Sequence, residues 1–290
     1  MEVTSISNLG LVALLFGACA TLEPSLAQDA NSIVPREGLA IANVVSRRRG
    51  GIDSYDPIET MMIRGELENF QPQPDDPLTL NNGDMVRWKT VELDENGSAD
   101  RQALGRGGYL YVTVHSETDR VMILQAGSHG GLYFNGVPHT ANVYGYAYYH
   151  LPVRLQKGDN RLLLRSGRRN VQAKLYSPPA PSFLLEGDKT LPDLVFDELA
   201  DTWGAVIVVN SSTTVTTDLA LAVHGDQLNR VVTPLPSIPP LSIRKVGFRI
   251  QATLYAVLGL LMTAAIVYRW RDALWHTTNE IEVPTSQPSP

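Results

Sequence analysis

Tyr109-Leu110-Tyr111-Val112-Thr113-Val114, then Val121-Met122-Ile123-Leu124, then Leu132-Tyr133-Phe134 closed by Asn135-Gly136, set the architecture of this 290-residue chain. Each run is short, rich in β-branched and aromatic residues, and bounded by turn residues. That texture predicts strands joined by tight turns, not helices, whose apolar positions would recur every 3.6 residues. The same texture continues on both sides. Met61 to Leu67, Met85 to Val91, His150 to Leu155 and Arg161 to Arg165 read as further strands, divided by Asn81-Asn82-Gly83-Asp84, Asn96-Gly97 and Gly158-Asp159-Asn160. Repeated short strands of this kind predict a β-sandwich over residues 61–178.

Pro178-Pro179-Ala180-Pro181 makes a stiff break. Beyond it a smaller β set, residues 185–249, is expected from Leu194-Val195-Phe196, Ala205 to Val209, Leu219 to Val223 and Ile243 to Arg249. Its middle two runs are almost continuously apolar, as strands buried in a core are. Upstream, residues 28–60 show no sustained period and contain Pro35, Gly50-Gly51, Pro57 and the Arg47 to Arg49 triplet. They read as a linker with room for one edge strand.

The two ends suggest export. Leu9 to Ala20 is apolar and Ser25-Leu26-Ala27 follows, so residues 1–27 are expected to be a signal peptide cleaved after Ala27. Cys19, the single cysteine, follows Phe16-Gly17-Ala18 and offers lipoprotein processing as the alternative. Met1 to Asn8 lacks the Lys or Arg of a usual leader. Ile250 to Tyr268 carries no charge over 19 residues and is followed by Arg269, Trp270, Arg271 and Trp275. A transmembrane helix over 250–268 is expected on that length, with a buried or amphipathic helix as the alternative. Residues 269–290 are too polar to fold and read as a disordered tail. This order places the β domains at the cell surface or in the periplasm, on a single-pass anchor. The net charge of −6 argues against a nucleic-acid partner, because phosphate neutralisation requires a basic surface, and the Arg47 to Arg49 triplet reads as a solvated linker rather than a polyanion contact.

Trp88 to Arg165, about a quarter of the chain, resembles the galactose-binding-like β-sandwich modules of bacterial extracellular hydrolases. The residues that carry the resemblance are the Asp94 to Asp100 turn, the Tyr109 to Val114 strand, Gly127-Ser128-His129-Gly130-Gly131-Leu132-Tyr133-Phe134-Asn135-Gly136, and Val153-Arg154-Leu155-Gln156-Lys157-Gly158-Asp159-Asn160-Arg161-Leu162-Leu163. Leu191-Pro192-Asp193-Leu194 through Val208-Val209-Asn210 to Ile238-Pro239-Pro240-Leu241-Ser242 is similar to the small immunoglobulin-like modules beside secreted catalytic domains. The pair in this order resembles the non-catalytic front part of exported prolyl-oligopeptidase-type hydrolases. The resemblance implies an all-β chain, a galactose-binding-like sandwich followed by a small immunoglobulin-like sandwich and the C-terminal helix. Where such a hydrolase would begin its α/β domain this sequence has the apolar segment, so its activity is not carried over and no enzyme is expected.

Three constellations bear on function. Gly127-Ser128-His129-Gly130 approaches a nucleophile elbow, yet an elbow leads into a helix and the following residues are strand and turn. Asp94, Asn96, Ser98 and Asp100 alternate as calcium ligands would, against the simpler reading of a hairpin turn, since no bidentate acid closes the loop. The resemblance keeps a structural calcium open. Tyr144, Tyr146 and Tyr148 would share one face of a strand, with Tyr149 on the other and Arg154 and Asn142 in sequence reach. One aromatic face with a polar fork suits a saccharide; packing in the core is the competing reading. The function expected is that of a membrane-tethered accessory module binding a saccharide. The alternatives are a hydrolase front part lacking its catalytic domain and a structural component contacting an envelope protein.

Overall fold

The computed structural model describes residues 12–15, 32–44, 56–105, 107–145, 149–192, 199–225 and 228–253. The chain divides into two compact units, Gln28–Pro178 and a second formed by Pro179–Pro290 with Met1–Ala27. Strand predominates in both. In chain order the elements are β1 (Val12–Leu15), β2 (Glu37–Ile41), α1 (Pro57–Ile63), a 3-10 turn (Glu66–Asn69), β3 (Pro77–Thr79), β4 (Met85–Arg87), β5 (Lys89–Glu92), β6 (Ser98–Ala99), α2 (Arg101–Leu104), β7 (Tyr109–Ser116), β8 (Arg120–Gly127), β9 (His129–Phe134), β10 (Val137–His139), β11 (His150–Leu155), β12 (Gly158–Ser166) and β13 (Val171–Tyr176). Then follow β14 (Ser182–Thr190), β15 (Leu199–Asn210), β16 (Ala220–Gly225), β17 (Leu228–Pro234) and β18 (Ser242–Thr253).

The Gln28–Pro178 unit stacks a six-stranded sheet, ordered β10-β9-β12-β7-β2-β5, on a four-stranded sheet, ordered β11-β8-β13-β6. Alternation along each strand explains why the larger sheet is covered twice. Leu110, Val112 and Val114 of β7, with Leu162 and Leu164 of β12, face Met122, Leu124, Val153 and Leu175 of the smaller sheet. The intervening Tyr109, Tyr111 and Leu163 face the other way, into a second core with Ile58 of α1, Leu67 and Trp88. Burying each such aliphatic side chain contributes roughly 1.5–3 kcal/mol against exposure.

The structure corrects the expected organisation at several points. The stretch read as a linker contributes an interior strand, β2, which lies between β7 and β5. Gly38 is required there, because a Cβ would stand 2.7 Å from the Tyr111 carbonyl oxygen. Met61 to Leu67, expected as a strand, is instead the end of α1 and the start of the 3-10 turn. Asp56 caps that helix, its Oδ1 accepting from the Ile58 amide at 3.0 Å, and Pro57 sits at the position where its missing N–H is harmless. Met85 to Val91 breaks into β4 and β5 at Trp88, which is fully buried.

In the second unit the sheet order is β1-β16-β17-β18-β15-β14. β15 and β18 pair residue for residue from Leu199↔Thr253 to Asn210↔Ser242. Val206, Val208, Leu221, Val223, Val246 and Phe248 form its core. Gly204 leaves room for Phe248, whose ring lies 2.6 Å from where a Cβ would be. Ile250–Thr253, expected to open the membrane-crossing helix, are the last residues of β18, and Ile250 is buried in the core. The physical reason is register: β15 offers a partner to each of these residues, which an isolated apolar count does not register. The remainder of that expected span, Leu254 to Tyr268, lies outside the described residues, as do Leu194-Val195-Phe196 and the tail. Of the leader-like segment only Val12–Leu15 is described, paired antiparallel with β16. Among the described residues no helix is long and apolar enough to cross a membrane.

Candidate functional site

β8 belongs to the four-stranded sheet and β9 to the six-stranded one, and a single residue, Ser128, joins them. A corner that tight requires a left-handed backbone, and Ser128 has φ +55°. The turn at 167–169 clamps it: the Arg169 amide donates to Ser128 Oγ at 2.7 Å, and a Cβ at Gly167 would stand 2.2 Å from the Ser128 carbonyl oxygen. The serine that resembled a nucleophile is therefore a buried corner residue, and a strand follows it.

His129 and Asn142 exchange backbone hydrogen bonds of 3.1 and 3.0 Å, and Asn142 Nδ2 donates to the Ala126 carbonyl at 3.0 Å. The Gly145 amide donates back to the Asn142 carbonyl at 3.1 Å, closing a turn that displays Val143 and Tyr144. Gly145, at φ +67°, permits the close pass over Ser128. Tyr144 is 58% exposed, and the Arg168 guanidinium carbon lies 5.4 Å from its ring centroid. Tyr149, 5% exposed, returns to the core and meets the buried His129 ring edge-on at 5.2 Å. Burial pushes the His129 imidazole down to about 4. The ring nitrogens of His129 and the Tyr149 hydroxyl make no hydrogen bond among the described residues.

Where the expected tyrosine strand would open, Asn142 to Gly145 form a turn. Tyr144 is at the surface and Tyr149 in the core, while Tyr146 and Tyr148 lie outside the described residues. Arg154 is not brought to it. That residue pairs with Val121 at the opposite end of β8 from the Ser128 corner, about 23 Å away at a strand's rise, and its guanidinium donates to Asp119 at 3.1 Å. Asn142, in sequence reach as a polar fork, is buried and holds the turn. The cation the structure places at the tyrosine is Arg168. Ser166-Gly167-Arg168-Arg169-Asn170 reads as a connecting turn, and nothing in its spacing says which other loop it meets.

Asp94 folds onto its own backbone. Its Oδ1 accepts from the Asn96 and Ser98 amides at 2.8 and 2.9 Å, and its carbonyl accepts from the Gly97 amide at 3.0 Å. Gly97, φ +71°, passes so near Ala173 that a Cβ would stand 2.2 Å from its oxygen. Asp100 Oδ1 accepts from the Gln102 amide at 2.9 Å and caps α2. Ser98 pairs with Gln172 in β13. The four oxygen-bearing residues therefore serve a hairpin and a helix start, and no cluster of three or more His, Cys, Asp or Glu suited to a metal occurs among the described residues. Sequence reading also missed a cleft of about 340 Å³ beside α1, lined by Met61, Phe70, Pro72, Leu78 and Trp88 with Glu66 and Asp76.

No protein-family model matches the chain, and no curated protein matches it. Among solved structures it aligns with a glycosyl hydrolase family 2 member from Bacteroides cellulosilyticus at 9% identity and TM-score 0.30, over 77% of this chain and 31% of that one. A family 2 β-galacturonidase from Eisenbergiella tayi aligns at 12% identity and TM-score 0.29, over 63% and 38%. A calcium-binding mutant of Bacteroides uniformis β-glucuronidase 2 aligns at 11% identity and TM-score 0.33, over 77% and 28%. The chain spans about a third of the length of these enzymes. Likeness at this level assigns this chain neither activity nor ligand.

Proposed function

We propose that the chain is a non-catalytic accessory module whose Gln28–Pro178 unit, a galactose-binding-like sandwich, binds a saccharide at the Tyr144 corner, the second unit being an immunoglobulin-like module. The observation that carries this reading is the exposed Tyr144 ring with the Arg168 guanidinium 5.4 Å from its centroid, on a turn anchored at Asn142. The ring offers a face for C–H stacking on a sugar, and the planar guanidinium offers a fork for hydroxyl or carboxylate oxygens. Because backbone and side-chain hydrogen bonds already fix the turn, binding would immobilise little. No catalytic role is assigned to Ser128, whose hydroxyl is buried and accepts from the Arg169 amide. In this reading the β units work outside the cytoplasm, held at a membrane by the apolar residues that follow β18.

A glycan array probed with the full chain, followed by titration of the best oligosaccharide, tests this. Tyr144→Ala and Arg168→Ala should each weaken binding tenfold or more with the melting temperature unchanged. Retention of every glycan by both variants would refute the site. Binding of no glycan by the full chain, with an envelope protein captured instead, would replace the ligand class.

A further inference from the structure

Two aromatic rings stand exposed among the described residues, one in each unit: Tyr144 and Trp203. Trp203, 61% exposed, lies on β15, on the face opposite the core positions Val206, Val208, Val246 and Phe248. Cross-strand register puts Arg249 opposite Trp203, Gln251 opposite Asp201 and Gly247 opposite Ala205. These side chains share one sheet face, and the polar ones are already joined. Arg249 Nε donates to Asp201 Oδ1 at 2.7 Å, and Gln251 Nε2 donates to Asp201 Oδ2 at 3.3 Å. On the other side the sheet is stripped to small residues. A Cβ at the exposed Gly247 would meet Trp203 Cε3 at 3.5 Å, so the indole leans over that glycine.

We propose that this face is a second saccharide platform, on which the Trp203 indole stacks against a pyranose ring while Asp201, Arg249 and Gln251 bind its hydroxyls. The surroundings select the ligand class. Large contiguous apolar patches mark protein or membrane contact surfaces, whereas the cross-strand positions framing Trp203 are Asp201, Ala205, Gly247 and Arg249. A sugar ring has one apolar face and an equatorial rim of hydroxyls, which matches one flat ring beside a carboxylate, a guanidinium and an amide. The Arg249 hydrogen bond holds Asp201 below the usual carboxylate range, so the carboxylate stays ionised, and its Oδ1, which among the described residues accepts from Arg249 Nε alone, keeps a lone pair for a hydroxyl. The platform shares its ligand class with the Tyr144 reading and rests on separate residues in a separate unit.

Affinity electrophoresis of the full chain through gels containing xylan, laminarin, hydroxyethylcellulose, galactan or polygalacturonate tests it, run beside Trp203→Ala, Trp203→Phe and Tyr144→Ala. At least one polysaccharide should retard the wild type. Trp203→Ala should bind it at least fivefold more weakly, and Trp203→Phe should recover part of the loss. The same polysaccharide should reduce acrylamide quenching of the wild type and not of Trp203→Phe. Because Trp203 is exposed, both variants should melt with the wild type. Retardation of Trp203→Ala equal to wild type, with loss confined to Tyr144→Ala, would overturn the platform and leave the Tyr144 site standing. Failure of every polysaccharide to retard the wild type would overturn both.

Discussion

Tyr144 and Tyr149 are five residues apart and have opposite fates, which makes them the most informative pair of single positions. Tyr149→Ala removes a ring packed against His129 and should cost about 3–5 kcal/mol, whereas Tyr144→Ala should stay within about 0.5 kcal/mol of wild type. Urea denaturation of the two variants checks this, and equal losses would contradict the turn. His129 adds a pH dependence. In the unfolded chain this imidazole takes a proton near pH 6.5, while in the folded one it resists until about pH 4. Between those values the unfolded state carries more protons, so the contribution is complete above about pH 6.5 and is lost as pH falls toward 4. It amounts to roughly 3 kcal/mol. His139, also lowered by burial, acts in the same direction. The urea midpoint of His129→Leu should therefore fall less between pH 7 and pH 4.5 than that of the wild type; parallel falls would remove His129 as the cause. At this scale the sequence singled out the tyrosines but not Arg168, because a loop-to-loop contact depends on which strands pair and leaves no periodic trace.

Among the elements, α1 is held to the six-stranded sheet by one buried carboxylate. Asp56 accepts from the Ile58 amide and from the Tyr109 hydroxyl at 2.8 Å, and Arg165 reaches both Asp56 and Glu59. Burial and the neighbouring Asp56 together keep the Tyr109 phenol protonated far above its ordinary range. Asp56→Ala would remove a cap and leave a buried hydroxyl and part of a guanidinium without their acceptor. About 2–4 kcal/mol of stability should be lost, read as a lowered denaturation midpoint; a loss below about 1 kcal/mol would show that α1 docks without it. Strands such as β7, β8 and β12 were legible because alternation and β-branched residues advertise them. β2 was legible only as an edge strand somewhere in residues 28–60, since Glu37-Gly38-Leu39-Ala40-Ile41 carries a glycine and an alanine that local propensity disfavours and tertiary packing demands. Met61 to Ile63 looked like strand because three apolar residues cannot report a period; the helix signal was the preceding Asp56-Pro57 and Glu59.

For the whole molecule, the boundary moves upstream from Met61 to Gln28. A fragment of residues 61–178 lacks β2, the Ile33 bridge to Leu175 and the Asp56 cap, so it should lack a cooperative melt that residues 28–178 display. Calorimetry of the two fragments decides this, and two similar transitions would restore the shorter boundary. Saccharide binding at the corner between the two sheets of this unit should show in hydrogen exchange on the full chain with and without the oligosaccharide retained from the array. Protection confined to residues 142–145 and 166–169, with or without a second patch at 201–205 and 247–251, is the predicted result. Protection centred on the cleft at Met61, Phe70 and Trp88, with the corner unchanged, would contradict it.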